Sequence, residues 1–453
     1  MAPMSATTPT DAPDFGDRQV IDAIAAWMPT TRWYPLKGQV VDVTLERAYD
    51  LGDAAILLLR AGETLLQVPV AWRDEPGSAG IAQFGSRWLI DACHDADAVQ
   101  AFIDVASGNR AVEGLSGEAT STPEAVGEIR VISGEQSNTS IIGGGEHPWI
   151  AKVFRVVSPG DNPDVVVTGA LTRARCKPVP SLLAALTATW PAGDAFVSGH
   201  LLAVSSFVSG GEDGWELFRQ HALATLRGEQ RDVPDAAALG AAVATVHKDL
   251  ADALGTAVAT EADTLRFITG LEQRLAWARE QGAGVLSDLD DDLSAAAARL
   301  REIDALGQLQ QIHGDLHLGQ VLRSADGSWA LIDFEGEPLR PLHERMVREP
   351  RQRDIVGMLR SFDYAAGSAL QQNPGGDPTA AGDWVAQRRA EFLSGYADAL
   401  GPVDEQDPVF SALLLDKALY EVVYELRNRP TWVSVPLEAV RAMVTHPPAP
   451  PVG

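Results

Sequence analysis

Hydrophobic positions change period along the chain, and each change marks a new element. Residues 18–30, "RQVIDAIAAWMPT", set Val20, Ile21, Ile24, Trp27 and Met28 at helical spacing, and Pro29 ends that helix. "VVDVTLERAYDL", "AAILLLRA" and "TLLQVPVAW" come next. Their alternating and β-branched positions, separated by Gly-Asp and Gly-Glu, predict a small antiparallel sheet. This α+β unit is expected to end near residue 90 to 110. A second block, "EIRVISGEQSNTSIIGGGEHPWIAKVFRVV", predicts strands over about 128–133, 138–143 and 149–156, joined by Gly-rich turns. From Pro163 the pattern predicts helix to about Thr189. "LLAVSSFVSG" (201–210) then reads as a buried strand running into a Gly-Gly link. Beyond residue 213 the period is mostly helical, over 234–254, 261–281, 287–303, 384–401 and 405–429. Residues 311–338 interrupt it as loop, strand, turn and strand. The terminal "HPPAPPVG" reads as a proline-rich tail.

The order is a small α+β unit, a small sheet, a connector and a large helical unit. A chain of 453 residues, 45% hydrophobic, exceeds what one core usually organises. The expected boundaries are 1–90 for an N-terminal cap, 91–208 for a β-rich lobe and hinge, and 209–453 for a helical lobe. A β-rich lobe joined to a helical one makes a cleft, a favoured place for ligands. No window holds 18 uninterrupted apolar residues, so no membrane span is expected, and the N-terminus lacks the basic start and apolar stretch of a secretory signal. A net charge of −26, from 62 acidic and 36 basic residues, argues against a nucleic-acid partner. The only cysteines, Cys93 and Cys176, have no paired spacing, which fits a reducing cytoplasm and excludes a cysteine-based zinc site.

The chemistry concentrates in "QIHGDLHLGQVLRSADGSWALIDFEGEP", residues 311–338. Asp315 follows His-Gly, and Gln320 lies five positions on. A protein-kinase catalytic loop takes the same step, from the aspartate that receives the acceptor proton to an asparagine that holds magnesium. Asp333, thirteen residues beyond Gln320, closes a strand, where a carboxylate can hold the Mg2+ that bridges nucleotide phosphates. Taken singly, each aspartate is an ordinary turn or cap residue; the ordered set points to phosphoryl transfer with ATP and Mg2+. His313 and His317 form a zinc pair only if a third ligand joins them, and none is evident nearby. "WIAKVFR" puts Lys152 on an apolar strand upstream, the position of a phosphate-binding lysine. "SGEQSNTSIIGGG" reads either as a hairpin over the nucleotide, with Ser137, Asn138 and Thr139 toward phosphate, or as a plain turn; it lacks the Gly-Lys-Ser/Thr of a Walker A loop. "SSFVSGGEDGW" suits a hinge whose backbone, at Ser206 and Val208, pairs with adenine.

For the acceptor, His313, Glu335, Arg340 and Arg345 flank the two aspartates. Glu335 either helps hold metal or belongs to a salt-bridged loop. On a predicted helix, Tyr420, Glu421, Tyr424, Glu425 and Arg427 share much of one face. That face suits a sugar, or it packs on the core. Trp432 either stacks on a sugar ring or closes the helix end.

"WMPTTRWYPLKG", "GEQSNTSII", "PGDNPDVVVTGALTR", "DGWEL", the 311–338 block, "RDIVGMLRSFDYAAG" and "DKALYEVVYELRNRPTWVSVPL" together resemble the aminoglycoside-phosphotransferase-like kinases. Among these the chain is most similar to the actinobacterial maltokinases. The resemblance implies an α+β, bilobal protein-kinase-like fold with an N-terminal α+β cap. It implies ATP-dependent phosphorylation of maltose at its anomeric hydroxyl, giving maltose 1-phosphate for α-glucan and glycogen synthesis. It carries the base onto Asp315, the magnesium ligands onto Gln320 and Asp333, and the phosphate lysine onto Lys152. The glutamate that pairs with that lysine is missing: Val165, Val166 and Val167 stand near its place, leaving Asp164 or a more distant acid. Two rival readings remain: a related kinase acting on glucosamine, another amino sugar or an aminoglycoside, and a catalytically silent partner of a trehalose-converting enzyme. Trehalose synthase is a further partner that the resemblance implies.

Overall fold

The computed structural model of the chain describes residues 12–132, 138–337 and 340–445. They form two compact units. The first runs to Thr172 and takes in Pro180–Phe207; the second comprises Arg173–Val179 and everything from Val208 onward.

The first unit contains two antiparallel sheets. One has five strands in the order Val43–Asp50, Ala54–Ala61, Thr64–Arg73, Arg87–Asp91, Gly80–Phe84. Its central strands are buried on both faces, so they read as continuous apolar runs. Alternation sends Leu57 and Leu59 to one side, among Val20, Ile24 and Met28 around the helix Arg18–Trp27. Ile56 and Leu58 go to the other side, where they join Phe102 of the helix Ala96–Ala106 and Trp149 and Trp190 of the second sheet. The two sheets thus share one core, and the Val157 N–H donates to the Leu65 carbonyl at 2.9 Å.

The second sheet has six strands, in the order Leu115–Ala119, Leu182–Ala192, Ala195–Ser206, Trp149–Phe154, Asn138–Gly143, Arg130–Val131. The helix expected from Pro163 to about Thr189 stops at Ala174, and Leu182–Ala192 is a strand. Pro178 and Pro180 end the helical stretch. The Leu- and Ala-rich run after them has good helix formers, but its register with Ala195–Ser206 places Leu186 opposite Leu202, and sheet packing overrides propensity.

The second unit is helical. Gly214–Arg227, Gln352–Gln372 and Ser434–Thr445 add to the helices expected from periodicity. Gln352–Gln372 was not among the helices expected. Its buried residues include Asp354, Arg360, Ser361 and Ser368 beside Ile355, Met358 and Phe362. The helices Ala236–Leu254 and Pro378–Leu400 touch backbone to backbone, since a Cβ on Gly240 would overlap the Phe392 carbonyl and one on Gly395 the Ala237 carbonyl. Gly357 does the same for the 311–320 loop: a Cβ there would strike the Leu316 carbonyl oxygen. A three-stranded sheet, Glu212–Asp213, Val321–Arg323 and Trp329–Leu331, carries the rest of the 311–338 block. Among the described residues no helix is long and apolar enough to cross a membrane.

Candidate active site

In the second unit the hairpin of Val321–Arg323 with Trp329–Leu331 pairs Val321 with Leu331. One step further, the Ile332 N–H donates to the Gln320 carbonyl at 3.0 Å. This register sets Gln320 beside Asp333, and the Gln320 side-chain amide donates to the Asp333 carboxylate at 2.9 Å. Asp333 has φ +67°, one of two left-handed non-glycine residues described. Aspartate tolerates that conformation better than most side chains, and the turn ends the strand there. Carboxylate oxygens of Asp333 and Glu335 lie within 4.8 Å of each other.

The loop before Gln320 is fastened from below by a residue that the sequence reading passed over. Asp354 is 1% exposed. Its two oxygens accept the His313 N–H at 2.8 Å, the Gly314 N–H at 2.9 Å and His247 Nε2 at 3.0 Å. His247 Nδ1 in turn meets the Tyr396 hydroxyl at 2.8 Å. His313 is buried, and its Nε2 bonds the Ile332 carbonyl at 2.9 Å, tying the loop to the strand before Asp333. The structure therefore makes His313 a brace, not an acceptor contact. His317 Nδ1 accepts the Gly319 N–H at 3.0 Å. Burial, then the Lys417 and His313 charges, push the His317 pKa down to about 4. With His313 and His317 spent on the loop itself, the zinc-pair alternative has no support.

Asp315 opens on a cavity of about 40 Å3 whose walls include Glu337, Asp416, Lys417 and Tyr420. Lys417 Nζ stands 3.8 Å from the Asp315 carboxylate. Burial raises the Asp315 pKa above the ordinary carboxylate value, and the Lys417 charge opposes it. Lys417 was missed as a candidate, although its spacing to Tyr420 (i, i+3) puts both on one helix face. Tyr420 stacks between Trp277, centroids 6.3 Å apart, and Tyr424, 6.4 Å apart.

Other expected acceptor contacts are used internally. Glu421 is buried against the Arg360 guanidinium, with bonds of 3.0 and 2.6 Å. Glu425 pairs with Arg429 at 2.6 Å. Trp432 stacks on Tyr364, and Arg427 donates to Gln281 at 2.7 Å. Tyr424 is 44% exposed and does not line the cavity. Arg340 donates to Glu337 at 2.8 Å and also pairs with Glu349, and Arg345 donates to the Arg340 carbonyl at 2.9 Å. The predicted sugar-binding face is thus largely a packing face, because at i, i+3 and i+4 spacing a buried charged stripe looks like a binding one.

In the first unit, Lys152 Nζ meets the Asp164 carboxylate at 3.0 Å. Asp164 sits in the first turn of the helix Pro163–Ala174, just before the valine run. Asp164→Asn is expected to lower kcat/KM for ATP about tenfold, the size of one lost ion-pair contact of ~1.4 kcal/mol. Initial-rate kinetics over an ATP range test this, and an unchanged value removes Asp164 from that role. Thr139 lies on the opposite face of the sheet from Lys152: it pairs with Val153, while Ser140 pairs with Lys152. Its hydroxyl accepts from Arg155 Nε at 2.8 Å, so the expectation that it faces phosphate fails by strand alternation. Asn138 begins the same strand. Ser137 lies outside the described residues. The Ser206 hydroxyl accepts the Ser181 N–H at 2.9 Å. Val208, in the second unit, accepts the Gly211 N–H at 3.2 Å.

Residues 27–95 match the maltokinase N-terminal cap domain, and residues 128–407, more than half of the chain, match the phosphotransferase enzyme family. The chain belongs to the phosphotransferase enzyme family. Its kinase-like fold, β-rich first and helical after, is the one expected from the sequence. A curated glucosamine kinase from Streptacidiphilus jiangxiensis is 32% identical to this phosphotransferase over 341 residues, 72% of this chain and 74% of that protein. Another, from Mycolicibacterium smegmatis, is 29% identical over 328 residues, 70% of this chain and 79% of that one. The solved structure of a glucosamine kinase in complex with glucosamine, ADP and inorganic phosphate matches with a TM-score of 0.71 at 26% identity, over 95% of this chain and 99% of its own. A further crystal form of glucosamine kinase gives a TM-score of 0.74 at 25% identity, over 96% and 100%.

Proposed function

We propose that this phosphotransferase moves the γ-phosphoryl group of ATP to a hydroxyl of a hexose, with a 2-amino sugar of the glucosamine type as acceptor. The observation that carries the reaction type is the meeting of Gln320 and Asp333 at 2.9 Å in the unit where Asp315 opens on a cavity. Asp315 takes the proton of the acceptor hydroxyl as that oxygen bonds the γ-phosphorus and the bond to the bridging oxygen of ADP breaks. Lys417 holds the Asp315 carboxylate in place and favours its charged, proton-accepting form. Lys152 faces the phosphates and is held by Asp164. The oxygens of Gln320, Asp333 and Glu335 are hard donors and fit magnesium. Mg2+ there would neutralise charge on the phosphates. The protein's own work is positioning and charge compensation.

Asp333→Ala is expected to weaken nucleotide binding in magnesium more than Gln320→Ala, because it removes a full charge from the cation site. Titration of ADP with and without magnesium checks this; equal affinities in wild type and Asp333→Ala remove the assignment.

Two observations support the amino sugar. Glucosamine kinases are among the relatives that match most of the chain. The carboxylates of Asp315, Glu337 and Asp416 line the cavity, and a carboxylate keeps spare acceptor sites for an ammonium group beyond those an arginine uses. Maltose, the acceptor that the sequence resemblance implies, is the second reading, and the cap match at residues 27–95 favours it. A second glucose unit would need the Tyr420-to-Trp432 segment as a sugar surface, but Trp432 is stacked on Tyr364. The expected order of kcat/KM is therefore glucosamine, then glucose, then maltose. Rates on the three sugars, with phosphorus NMR of the product, decide it. A maltose preference with an anomeric phosphate reverses the choice of acceptor and leaves the reaction type standing.

A further inference from the structure

On the far side of the second sheet from Lys152, the first unit holds a pocket of about 290 Å3 that phosphoryl transfer does not use. Arg155 on its floor lies three positions after Lys152 in the chain. Arg155 is 0% exposed. Its Nε donates to the Thr139 hydroxyl at 2.8 Å, its Nη2 to Asp91 at 2.8 Å, and its guanidinium lies 4.5 Å from the Trp33 ring centroid. Nη1 is buried and has no hydrogen-bond partner among the described residues.

The rim adds to this. Arg32 and His94 both line the pocket and are exposed, and neither has an ion-pair partner among the described residues. Asp91, the only lining carboxylate among the described residues, is already taken by Arg155. In a chain of net charge −26, a pocket whose described lining has three basic side chains against one acid stands out. Trp27 and Trp33, edge to face with centroids 5.9 Å apart, form an aromatic wall. The volume is at the small end for ligand pockets, which run from about 300 Å3 upward. Basic groups at the rim and an aromatic wall match one chemistry: a sugar ring carrying a phosphate ester. The ring's C–H face meets indole, and the phosphate takes Arg32 and His94.

We infer that the pocket between the two sheets of the first unit binds a small sugar phosphate, separately from the catalytic centre. The experiment is calorimetric titration of the full chain with a hexose 6-phosphate, a hexose 1-phosphate, the free hexose and inorganic phosphate. Each is run alone and with ADP, magnesium and glucosamine at saturation. A hexose phosphate is expected to bind in both conditions and more tightly than free hexose or inorganic phosphate. Arg32→Gln and His94→Gln, at exposed positions where folding is not at risk, are each expected to weaken it about tenfold, the loss of one charge-assisted hydrogen bond. Thr31→Trp, which fills the rim, is expected to abolish it. Binding that disappears at saturation with ADP and glucosamine, or that survives all three substitutions, belongs to the catalytic centre and overturns the inference. So does inorganic phosphate binding as tightly as the ester, or no binding by any of the four compounds.

Discussion

Asp315→Asn is expected to lower kcat by roughly 10²–10⁴, the usual contribution of a general base, with nucleotide affinity little changed. The amide keeps the volume of the carboxylate in a cavity whose walls are fixed by other pairs, so the fold is not the quantity tested. Wild type should also show an acid limb in its pH–rate profile. Burial raises the Asp315 pKa, so the proton-accepting form is lost, as pH falls, at a higher pH than for an ordinary carboxylate. Lys417→Met removes the opposing charge and should move that limb further up. Steady-state rates across pH, with ADP titrations alongside, make the check. A mutant that keeps most of the wild-type turnover, or a limb unmoved by Lys417→Met, places the base elsewhere.

Asp354→Ala should produce the largest loss of stability of any single change near the loop, about 3–5 kcal/mol. The substitution leaves the His313 and Gly314 N–H groups and His247 Nε2 without the carboxylate they bond. Asp354→Asn keeps one acceptor oxygen and should cost less. In that milder variant kcat should fall while ADP affinity holds, because the loop carrying Asp315 loses its anchor and the strand carrying Asp333 does not. Denaturant midpoints for both variants, and a kcat-against-Kd split for Asp354→Asn, test the two halves. If Asp354→Asn loses stability but keeps full kcat, Asp354 serves the fold alone.

Asp315, Gln320, Asp333 and Lys152 were legible because each lies in a local pattern: a loop of fixed spacing, a strand end, an apolar strand. Asp354 was not, although "RDIVGMLRSFDYAAG" was noted. Nothing in its neighbours says that a buried carboxylate in a helix will face a loop some 40 positions earlier. Asp164 was one of two alternatives until the helix Pro163–Ala174 brought it within 3.0 Å of Lys152. The opposite error occurred at Glu421 and Trp432. Their helical spacing correctly predicted a shared face, but not whether that face meets solvent, ligand or the Arg360 and Tyr364 side chains.

By itself the sequence determined what depends on neighbours in the chain. It set three of the five strands of the first sheet, the helices with a polar face, the turn that carries Asp333, and the order of Asp315, Gln320 and Asp333 that suggests a phosphotransferase. Tertiary structure decided whatever depends on which surfaces meet. It turned Leu182–Ala192 into a strand, since a register with Ala195–Ser206 outweighs the helix propensity of Leu and Ala. It buried Asp354, Arg360, Ser361 and Ser368 within the helix Gln352–Gln372, polar residues whose interior position no local pattern announces. It also chose the partners of the buried charges. An aspartate's sequence context does not say which donors will surround it, but once water is excluded the carboxylate must find them, and only the packed chain determines which are within reach.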